Sequence, residues 1–394
     1  MTIEDRAFKA THEQGFATKA IHAGQEPDPG TGAIMTPVFL TSTYVQEELG
    51  RNKGYEYSRV SNPTRTALER NVAALEGGTE GLAFGSGTAA VDALFHLLAP
   101  GDHVVMSQNV YGGTYRIARM IWEGYGLRFS FVDTTVAKNI EQALLPATRM
   151  LFIETPTNPT IEITDLAACA AIAKGRGILS VADNTFATPY LQQPLAFGID
   201  IVVHSLTKYL NGHSDMLGGL VVTSNAAVTE RLRFMQKAVG GILSPFDSWL
   251  CLRGTKTLAV RMKQHCENAG TVARWLAGRR GIERVLFPGL ESHPGHALAK
   301  RQMRGFGGMI SFELGSLAPA AAFLKNVRLC ALAESLGGVE SIITHPASMT
   351  HAAVPPEERL RIGVTDGMVR ISVGLEDADD IIRDLDAALH AAGI

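Results

Sequence analysis

The stretch ILSVADNTFATPYLQQPLAFGIDIVVHSLTK, residues 178–208, decides the fold class. Its apolar runs 178–183 and 201–205 have the length of short buried strands, and each of them ends in polar residues. Comparable runs occur at 81–84, 103–107, 128–133, 150–154 and 219–223, with helical segments such as 64–76, 88–98 and 166–174 between them. Short apolar strands that alternate with helices predict an α/β domain whose mostly parallel sheet is covered on both faces.

The pattern changes on either side of this region. Residues 1–55 alternate turn signals with short apolar pieces, which predicts an extended arm. A long helical stretch, 246–280, comes before separated strands at 309–314 and 368–373 and a closing helix at 377–390. We therefore expect three parts: an N-terminal arm (1–55), an α/β domain that carries the site (56–250) and a smaller α+β domain (251–394).

Composition and charge exclude several classes of protein. In the 394 residues, 36 Lys and Arg nearly balance 39 Asp and Glu, so no basic face for nucleic acid is expected. No run approaches the roughly 20 apolar residues of a membrane helix. The first residues include acids and no apolar segment, unlike a signal peptide. We expect a cytoplasmic protein with neither nucleic acid nor a membrane as its partner.

Residue types that bind metals are present, but their spacing does not predict a metal site. The four cysteines form no CxxC pair and are expected to be free thiols: Cys169, Cys251, Cys266 and Cys330. The histidines, including those of the sequence HPGH (293–296), are expected to be structural. No metal is therefore predicted.

The sequence GSGTAA, residues 85–90, lies between a predicted strand and a predicted helix. Backbone amides and a helix N-terminus hold phosphate groups in such turns. The same letters fit the loose dinucleotide pattern G-x-G-x-x-A, but no acidic residue ends the next strand at 103–107. A nicotinamide oxidoreductase therefore stays an alternative that the missing acid disfavours, and an ordinary tight turn is another.

Three motifs follow predicted strands and combine into one site. Lys208 comes directly after the strand 201–205, with Ser205 and Thr207 beside it, and Asp183 ends the strand before. Together with the turn at Gly87 they supply a lysine, an anion, and hydroxyls and amides for a phosphate. Pyridoxal phosphate needs each of these parts: the lysine for its aldehyde, and the anion for its pyridine nitrogen. The sequence therefore predicts this cofactor.

Eight motifs carry a resemblance to a known family. They are GYEYSRVSNPTR (54–65), FGSGTAA (84–90), VYGGTYR (110–116), IETPTNP (153–159), DNTFATP (183–189), HSLTKYLNGHSD (204–215), AESLGGVES (333–341) and VRISVGLED (369–377). Through them the chain resembles the Cys/Met-metabolism family of pyridoxal-phosphate enzymes over nearly its whole length. The resemblance implies a fold-type I pyridoxal-phosphate transferase. It also implies a homotetramer of two catalytic dimers, in which each N-terminal arm contributes to the neighbouring subunit.

The resemblance implies roles for residues that bind the cofactor. Lys208, Tyr111 and Asp183 resemble the catalytic set: the lysine that bonds to the cofactor, the tyrosine stacked on its ring and the acid at its ring nitrogen. Four residues resemble those that bind the cofactor phosphate in the family: Ser205, Thr207, Gly87 and Thr88. Tyr57 and Arg59 resemble a pair that reaches the same phosphate from the neighbouring subunit.

The resemblance also implies residues that bind the substrate. Arg370 resembles the arginine that holds the substrate carboxylate, helped by Asn158 and Ser335, since a planar guanidinium suits a bidentate contact. Arg116 and Glu340 resemble positions at the distal end of the substrate. Considered without the resemblance, Arg370 fits a surface ion pair, Glu340 a helix cap and Tyr111 a core aromatic.

Within the family, three positions favour cystathionine γ-lyase activity. Methionine-specific lyases typically have a cysteine two places after the stacking tyrosine, where this chain has Gly113. The segment 334–341 with Glu340 resembles γ-type enzymes, and Glu56 resembles γ-lyases more than bacterial γ-synthases. Cystathionine γ-synthase, which joins an O-acylhomoserine to cysteine, stays an alternative, as does another C–S lyase or a sulfhydrylase. A non-catalytic scaffold is disfavoured because the predicted catalytic residues are all present.

Overall fold

The computed structural model describes residues 8, 11, 13–352 and 354–394. The predicted arm is therefore described only in part, and most of the N-terminal segment that we compared with a signal peptide lies outside the described residues. The arm contains a helix, α1 (Phe16–His22), which packs against α2 (Pro63–Glu76). Asn71 of α2 holds it there by donating to the carbonyl oxygens of Ala20 and Ala23. The prediction of an extended arm was thus wrong for residues 16–22, whereas every residue from 26 to 61 keeps exposed surface.

Seven strands form the larger sheet: β1 (Glu80–Phe84), β2 (His103–Ser107), β3 (Arg128–Val132), β4 (Thr148–Glu154), β5 (Leu179–Asp183), β6 (Ile201–Ser205) and β7 (Gly219–Thr223). Their order across the sheet is β1-β7-β6-β5-β4-β2-β3. Only β7 runs against the others, because it pairs antiparallel with both β1 and β6. The predicted, mostly parallel sheet is confirmed, and the carboxyl ends of six strands share one edge.

Both faces of this sheet are buried. In β4, Met150 and Phe152 belong to one apolar cluster, whereas Leu151 and Ile153 belong to another on the opposite face. The helices along this part of the chain are α2, α3 (Gly87–Phe95), α4 (Gly112–Met120), α5 (Ala137–Ala143), α6 (Leu166–Arg176), α7 (Thr188–Leu191) and α8 (Ala226–Val239). Strands with two buried faces read as continuous apolar runs, which is why they were recognisable in the sequence.

A smaller sheet follows in the C-terminal part of the chain. Its strands are β8 (Arg284–Leu286), β9 (Met309–Glu313), β10 (Ala331–Leu332), β11 (Ile342–Thr344) and β12 (Met368–Ser372), in the order β10-β11-β12-β9-β8. The helices here are α11 (His296–Gln302), α12 (Leu317–Asn326), α13 (Pro356–Arg361) and α14 (Ala378–Ala391). The predicted second, smaller α+β unit is confirmed.

The predicted long helix at 246–280 is two helices, α9 (Pro245–Thr255) and α10 (Leu258–Ala277). At the break, the Thr255 hydroxyl donates to the Leu252 carbonyl oxygen at 2.9 Å, and Thr257 donates to that of Gly254 at 3.1 Å. The N-terminal half of α10 joins the apolar cluster of the larger sheet, and its C-terminal half joins that of the smaller sheet. The domain limits at 55 and 250 stay predictions.

Among the described residues, none of the helices is both long enough and apolar enough to cross a membrane.

Candidate active site

A cavity of about 410 Å³ lies beyond the carboxyl ends of the larger sheet's strands. Ten predicted site residues line it: Gly87, Thr88, Tyr111, Asn158, Asp183, Ser205, Thr207, Lys208, Ser335 and Arg370. The first eight follow or end strands of the larger sheet, whereas Ser335 follows β10 and Arg370 lies on β12 of the smaller sheet. The fold therefore brings together residues that lie far apart in the sequence.

Lys208 lies in this cavity with its amine held by a hydroxyl. Its Nζ donates to Ser335 Oγ at 2.9 Å. Burial lowers the pKa of Lys208 to about 8, the positive charge of Arg370 lowers it too, and Glu334 acts in the opposite direction. A lysine with this pKa is neutral in roughly one tenth of the molecules at pH 7, far more often than an ordinary lysine. A neutral amine is the form that bonds to a carbonyl carbon or accepts a proton.

Arg370 is 1% exposed and presents a guanidinium to the cavity. Its Nη1 donates to Asn158 Oδ1 at 2.7 Å, and its Nη2 donates to the Ser335 carbonyl oxygen at 2.9 Å. Its Nε has no hydrogen-bond partner among the described residues. Burial lowers the pKa of Arg370 to about 10. A buried guanidinium with an unpartnered N–H is suited to bind the carboxylate of a ligand.

The N-terminus of α3 forms another part of the cavity. Ser86 caps this nine-residue helix, because its Oγ accepts from the Ala89 N–H at 3.0 Å. Gly87 lies so close to Ser205 that a Cβ at position 87 would come within 3.0 Å of the Ser205 Cβ. The hydroxyls of Ser205 and Thr207 line the same cavity. Helix N-terminal amides with nearby hydroxyls form an anion site, and phosphate is a common occupant.

Asp183, the last residue of β5, places a carboxyl group in the cavity. Its Oδ1 accepts from the Thr185 N–H at 3.0 Å, and the Thr185 hydroxyl in turn accepts from the Ser205 N–H at 2.9 Å. Burial raises the pKa of Asp183, and the hydrogen bonds from Thr185 oppose that rise. A ligand cation beside this carboxyl group would favour its ionised form.

Two acids that the sequence reasoning did not select also line the cavity. Glu154 is the last residue of β4, directly beside Asp183 in the pairing of β4 with β5. Glu334 precedes Ser335 and is exposed. The position of Glu154 at the carboxyl end of a strand, the criterion that selected Asp183, was the available signal for it.

Tyr57 and Arg59 do not line the cavity of their own chain. Both are exposed, Tyr57 by 41%. The Arg59 guanidinium donates to the carbonyl oxygen of Lys237 and lies 5.4 Å from the centre of the Tyr57 ring. A cofactor role for this pair within one chain is therefore not supported by its position.

Arg116 and Glu340 are not among the residues that line the cavity within one chain, and their place at the distal end of the substrate stays a prediction. Arg116 is exposed on α4. Glu340 accepts from the Ser214 hydroxyl at 3.1 Å. Glu334, six residues before Glu340, is among the residues that line the cavity within one chain.

The described histidines, cysteines and acids do not gather into any group of three or more that could hold a metal ion. All four cysteines are free; Cys266 is half-buried and the other three are buried.

Comparisons with known proteins agree with this geometry. A family model described as "Cys/Met metabolism PLP-dependent enzyme" matches residues 17–390. The chain is 54% identical over 375 residues to a cystathionine beta-lyase of Coxiella burnetii, covering 94% of this chain and 97% of that protein. It is 52% identical over 373 residues to a cystathionine gamma-lyase of Bacillus subtilis, covering 95% and 98%. Among solved structures, a cystathionine gamma-lyase from Lactobacillus plantarum complexed with L-serine is similar with a TM-score of 0.94 and 44% identity, covering 96% of this chain and 100% of that one.

These findings confirm the resemblance, the fold class and the predicted cofactor. The residues of the cavity fit pyridoxal phosphate on structural grounds as well. The α3 N-terminus with Ser205 and Thr207 provides an anion site, and Asp183 provides a carboxyl group for a ring nitrogen. Lys208 provides an amine of lowered pKa in the same cavity.

Proposed function

We propose that the chain, which belongs to the Cys/Met metabolism family of pyridoxal-phosphate-dependent enzymes, is a carbon–sulfur lyase that cleaves cystathionine by γ-elimination. Cystathionine and water would give cysteine, 2-oxobutyrate and ammonia. In this reaction the bond between Cγ and sulfur breaks, and the sulfur leaves with the electron pair and gains a proton. The reaction involves no net oxidation, so no further co-reactant is required.

The observation that carries this proposal is the pair of opposite charges that line the cavity. Arg370 offers an unpartnered N–H to one carboxylate, and Glu334 presents a carboxylate whose charge acts on both Lys208 and Arg370. Cystathionine carries an amino-acid group at each end, so one end supplies a carboxylate and the other an ammonium group. We propose Glu334, in place of Glu340, as the acid that binds the distal ammonium.

The residues of the chain have distinct tasks in this reaction. When bound, pyridoxal phosphate supplies an electron sink for negative charge at the substrate Cα. Arg370 binds the substrate carboxylate, while Asn158 Oδ1 and the Ser335 carbonyl oxygen hold its guanidinium. Lys208 Nζ, with a pKa of about 8, takes the Cα proton. Its hydrogen bond to Ser335 Oγ keeps the amine beside the carboxylate-binding group.

Product identification tests the proposal. The purified protein is incubated with cystathionine, and the keto acid and the thiol are identified by mass spectrometry. We expect 2-oxobutyrate and cysteine. Pyruvate and homocysteine as the main products would instead assign β-elimination, the activity named for the relative from Coxiella burnetii. Formation of cystathionine from O-succinylhomoserine and cysteine, without net cleavage, would assign γ-synthase activity.

A pair of variants tests the role of Glu334. Glu334→Gln removes the charge in the cavity, and Glu340→Gln removes the same charge outside it. We expect E334Q to raise KM for cystathionine at least about tenfold more than KM for methionine, which lacks a distal ammonium group, because a paired charge is lost. E340Q should leave the ratio unchanged. If E340Q changed the KM ratio and E334Q did not, the distal ammonium would be assigned to Glu340 instead.

We further propose that each site is completed by the neighbouring subunit in a homotetramer of two catalytic dimers. The exposed Tyr57 and Arg59, which lie outside their own cavity, support this assembly. An arginine fork suits a phosphate, and a twofold dimer would supply two reciprocal contacts. A cytoplasmic location also stays a proposal.

A further inference from the structure

Glu154 makes a pair of backbone contacts at the edge of the cavity. Its Oε2 accepts from the Tyr111 N–H at 2.7 Å, and its Oε1 accepts from the Asn158 N–H at 3.0 Å. The side chain is 4% exposed. One carboxyl group therefore holds the backbone of the residue predicted to stack on the cofactor and that of the residue that supports Arg370.

The first of these contacts pairs a backbone N–H at the start of a helix that has no side-chain cap. Tyr111 is the N-cap residue of α4, and its side chain makes no capping hydrogen bond. The backbone N–H groups at a helix start have no partner within the helix, and a carboxylate is favourable there. Glu154 is the last residue of β4, so this hydrogen bond connects the start of α4 to the larger sheet. It thereby fixes the backbone position from which the Tyr111 side chain extends.

The second contact fixes the loop after β4. Asn158 lies four residues beyond Glu154, and its side-chain oxygen accepts from Arg370 Nη1 at 2.7 Å. The backbone of Glu154 is itself anchored, since its N–H donates to Ser107 Oγ on β2 at 3.2 Å. A chain of direct contacts thus runs from the larger sheet through Glu154 and Asn158 to the guanidinium of Arg370.

We infer that Glu154 is a positioning residue whose two oxygens set Tyr111 and Asn158 in place together, so that cofactor stacking and carboxylate binding depend on one buried side chain. Two acceptors are essential to this task. Either oxygen of a carboxyl group can accept an N–H in both protonation states, whereas the nitrogen of a glutamine amide can only donate. Burial raises the pKa of Glu154 and the nearby Asp183 raises it too, while the two backbone hydrogen bonds lower it.

Glu154→Gln is the decisive variant, because it keeps size and shape but turns one acceptor into a donor. Asp384→Asn is the matched control. The two oxygens of Asp384 likewise accept two backbone N–H groups, from Arg328 at 2.7 Å and from Cys330 at 2.9 Å, and it does not line the cavity. E154Q should lower the melting temperature because it leaves one N–H at a buried side chain without an acceptor, and D384N should lower it less because the Arg328 N–H is exposed.

Two readouts separate positioning from simple stability, and neither requires turnover of a sulfur substrate. They rest on the cofactor of the family and not on the proposed cystathionine cleavage, so failure of one proposal does not imply failure of the other. The first is the visible circular dichroism of bound pyridoxal phosphate at saturation. The second is the dissociation constant of glycine, a minimal ligand with an α-carboxylate, from the change in visible absorbance.

We expect E154Q to reduce the circular dichroism by half or more and to weaken glycine binding at least fivefold, with D384N unchanged in both. E154Q within twofold of D384N in both readouts would overturn the inference. If E154Q does not fold, Glu154→Asp is compared with wild type. Aspartate is shorter by one methylene, which withdraws the carboxyl group from the two N–H groups, so we expect at least one of the two readouts to fall. Wild-type values in both would overturn the inference.

Discussion

Replacing Gly113 by alanine tests how the Tyr111 ring is held. A Cβ at position 113 would lie 2.4 Å from Tyr111 Cε1 and 3.1 Å from Thr88 Cγ2. Ordinary contact begins near 3.4 Å, so the ring must move by about 1 Å. Tyr111 is 41% exposed, so its ring has room to turn outward. The backbone at 113 is helical, so alanine itself does not strain α4 and the fold should survive.

The expected loss of binding free energy is small and is confined to the cofactor site. An aromatic stacking contact is worth about 0.5–1.5 kcal/mol, which corresponds to roughly two- to tenfold weaker binding of pyridoxal phosphate. The assay is a fluorescence titration of the apoprotein with the cofactor, alongside the melting temperature. Gly175→Ala in α6 is the control, because a Cβ there meets nothing within 4 Å. G113A with the cofactor affinity of G175A would refute the reasoning.

Three further predictions concern the cofactor residues. Because the neutral amine is the reactive form and burial lowers its pKa, uptake of pyridoxal phosphate by the apoprotein, followed by absorbance, should rise with pH around a midpoint near 8 and be lost in Lys208→Ala; a midpoint near that of free lysine would contradict the burial argument. Asp183→Asn should still bind cofactor, but turnover should fall at least about 100-fold, because the amide cannot stabilise a cationic ring nitrogen; near-normal turnover would exclude this role. Arg59→Ala and Lys208→Ala chains should regain activity in a purified heterodimer, and no activity there would reject a shared site.

Much of the larger sheet could be predicted because its strands are buried on both faces. Alternate residues of β4 enter different apolar clusters, so the strand has no polar face that could blur its pattern. The clear strand pattern also located the site, since Asp183 ends one strand and Lys208 follows the next, and the carboxyl ends of both strands lie at the same edge of the sheet. Tertiary contacts set the limits of this reasoning. Gly254 lies near the end of α9, just before the break, and packs closely against Asn211. A Cβ at position 254 would come within 2.3 Å of the Asn211 carbonyl oxygen. No local sequence pattern reveals this contact.

The two acids at the cavity illustrate a different limit. Glu334 and Glu340 lie in one motif, and nothing in their spacing says which of them faces the ligand. At Gly337 the segment passes close to Lys208, because a Cβ there would lie 2.6 Å from the Tyr209 backbone nitrogen. Within one chain, Glu334 and Ser335 line the cavity and Glu340 accepts from the Ser214 hydroxyl, so the choice of Glu334 as the acid for the distal ammonium stays a proposal.

The electrostatics of the cavity explain why its residues act together. Burial raises the pKa of Asp183 and lowers the pKa values of Lys208 and Arg370, so it opposes the charged form of each group. A cationic ring nitrogen beside Asp183 and a carboxylate beside Arg370 would each restore the charge that burial disfavours. The carboxylate would also offset the positive field that Arg370 exerts on Lys208, and so would raise the affinity of Lys208 for a proton. Binding of the substrate carboxylate at Arg370 therefore strengthens Lys208 as the base for the Cα proton at the moment when that proton has to be taken.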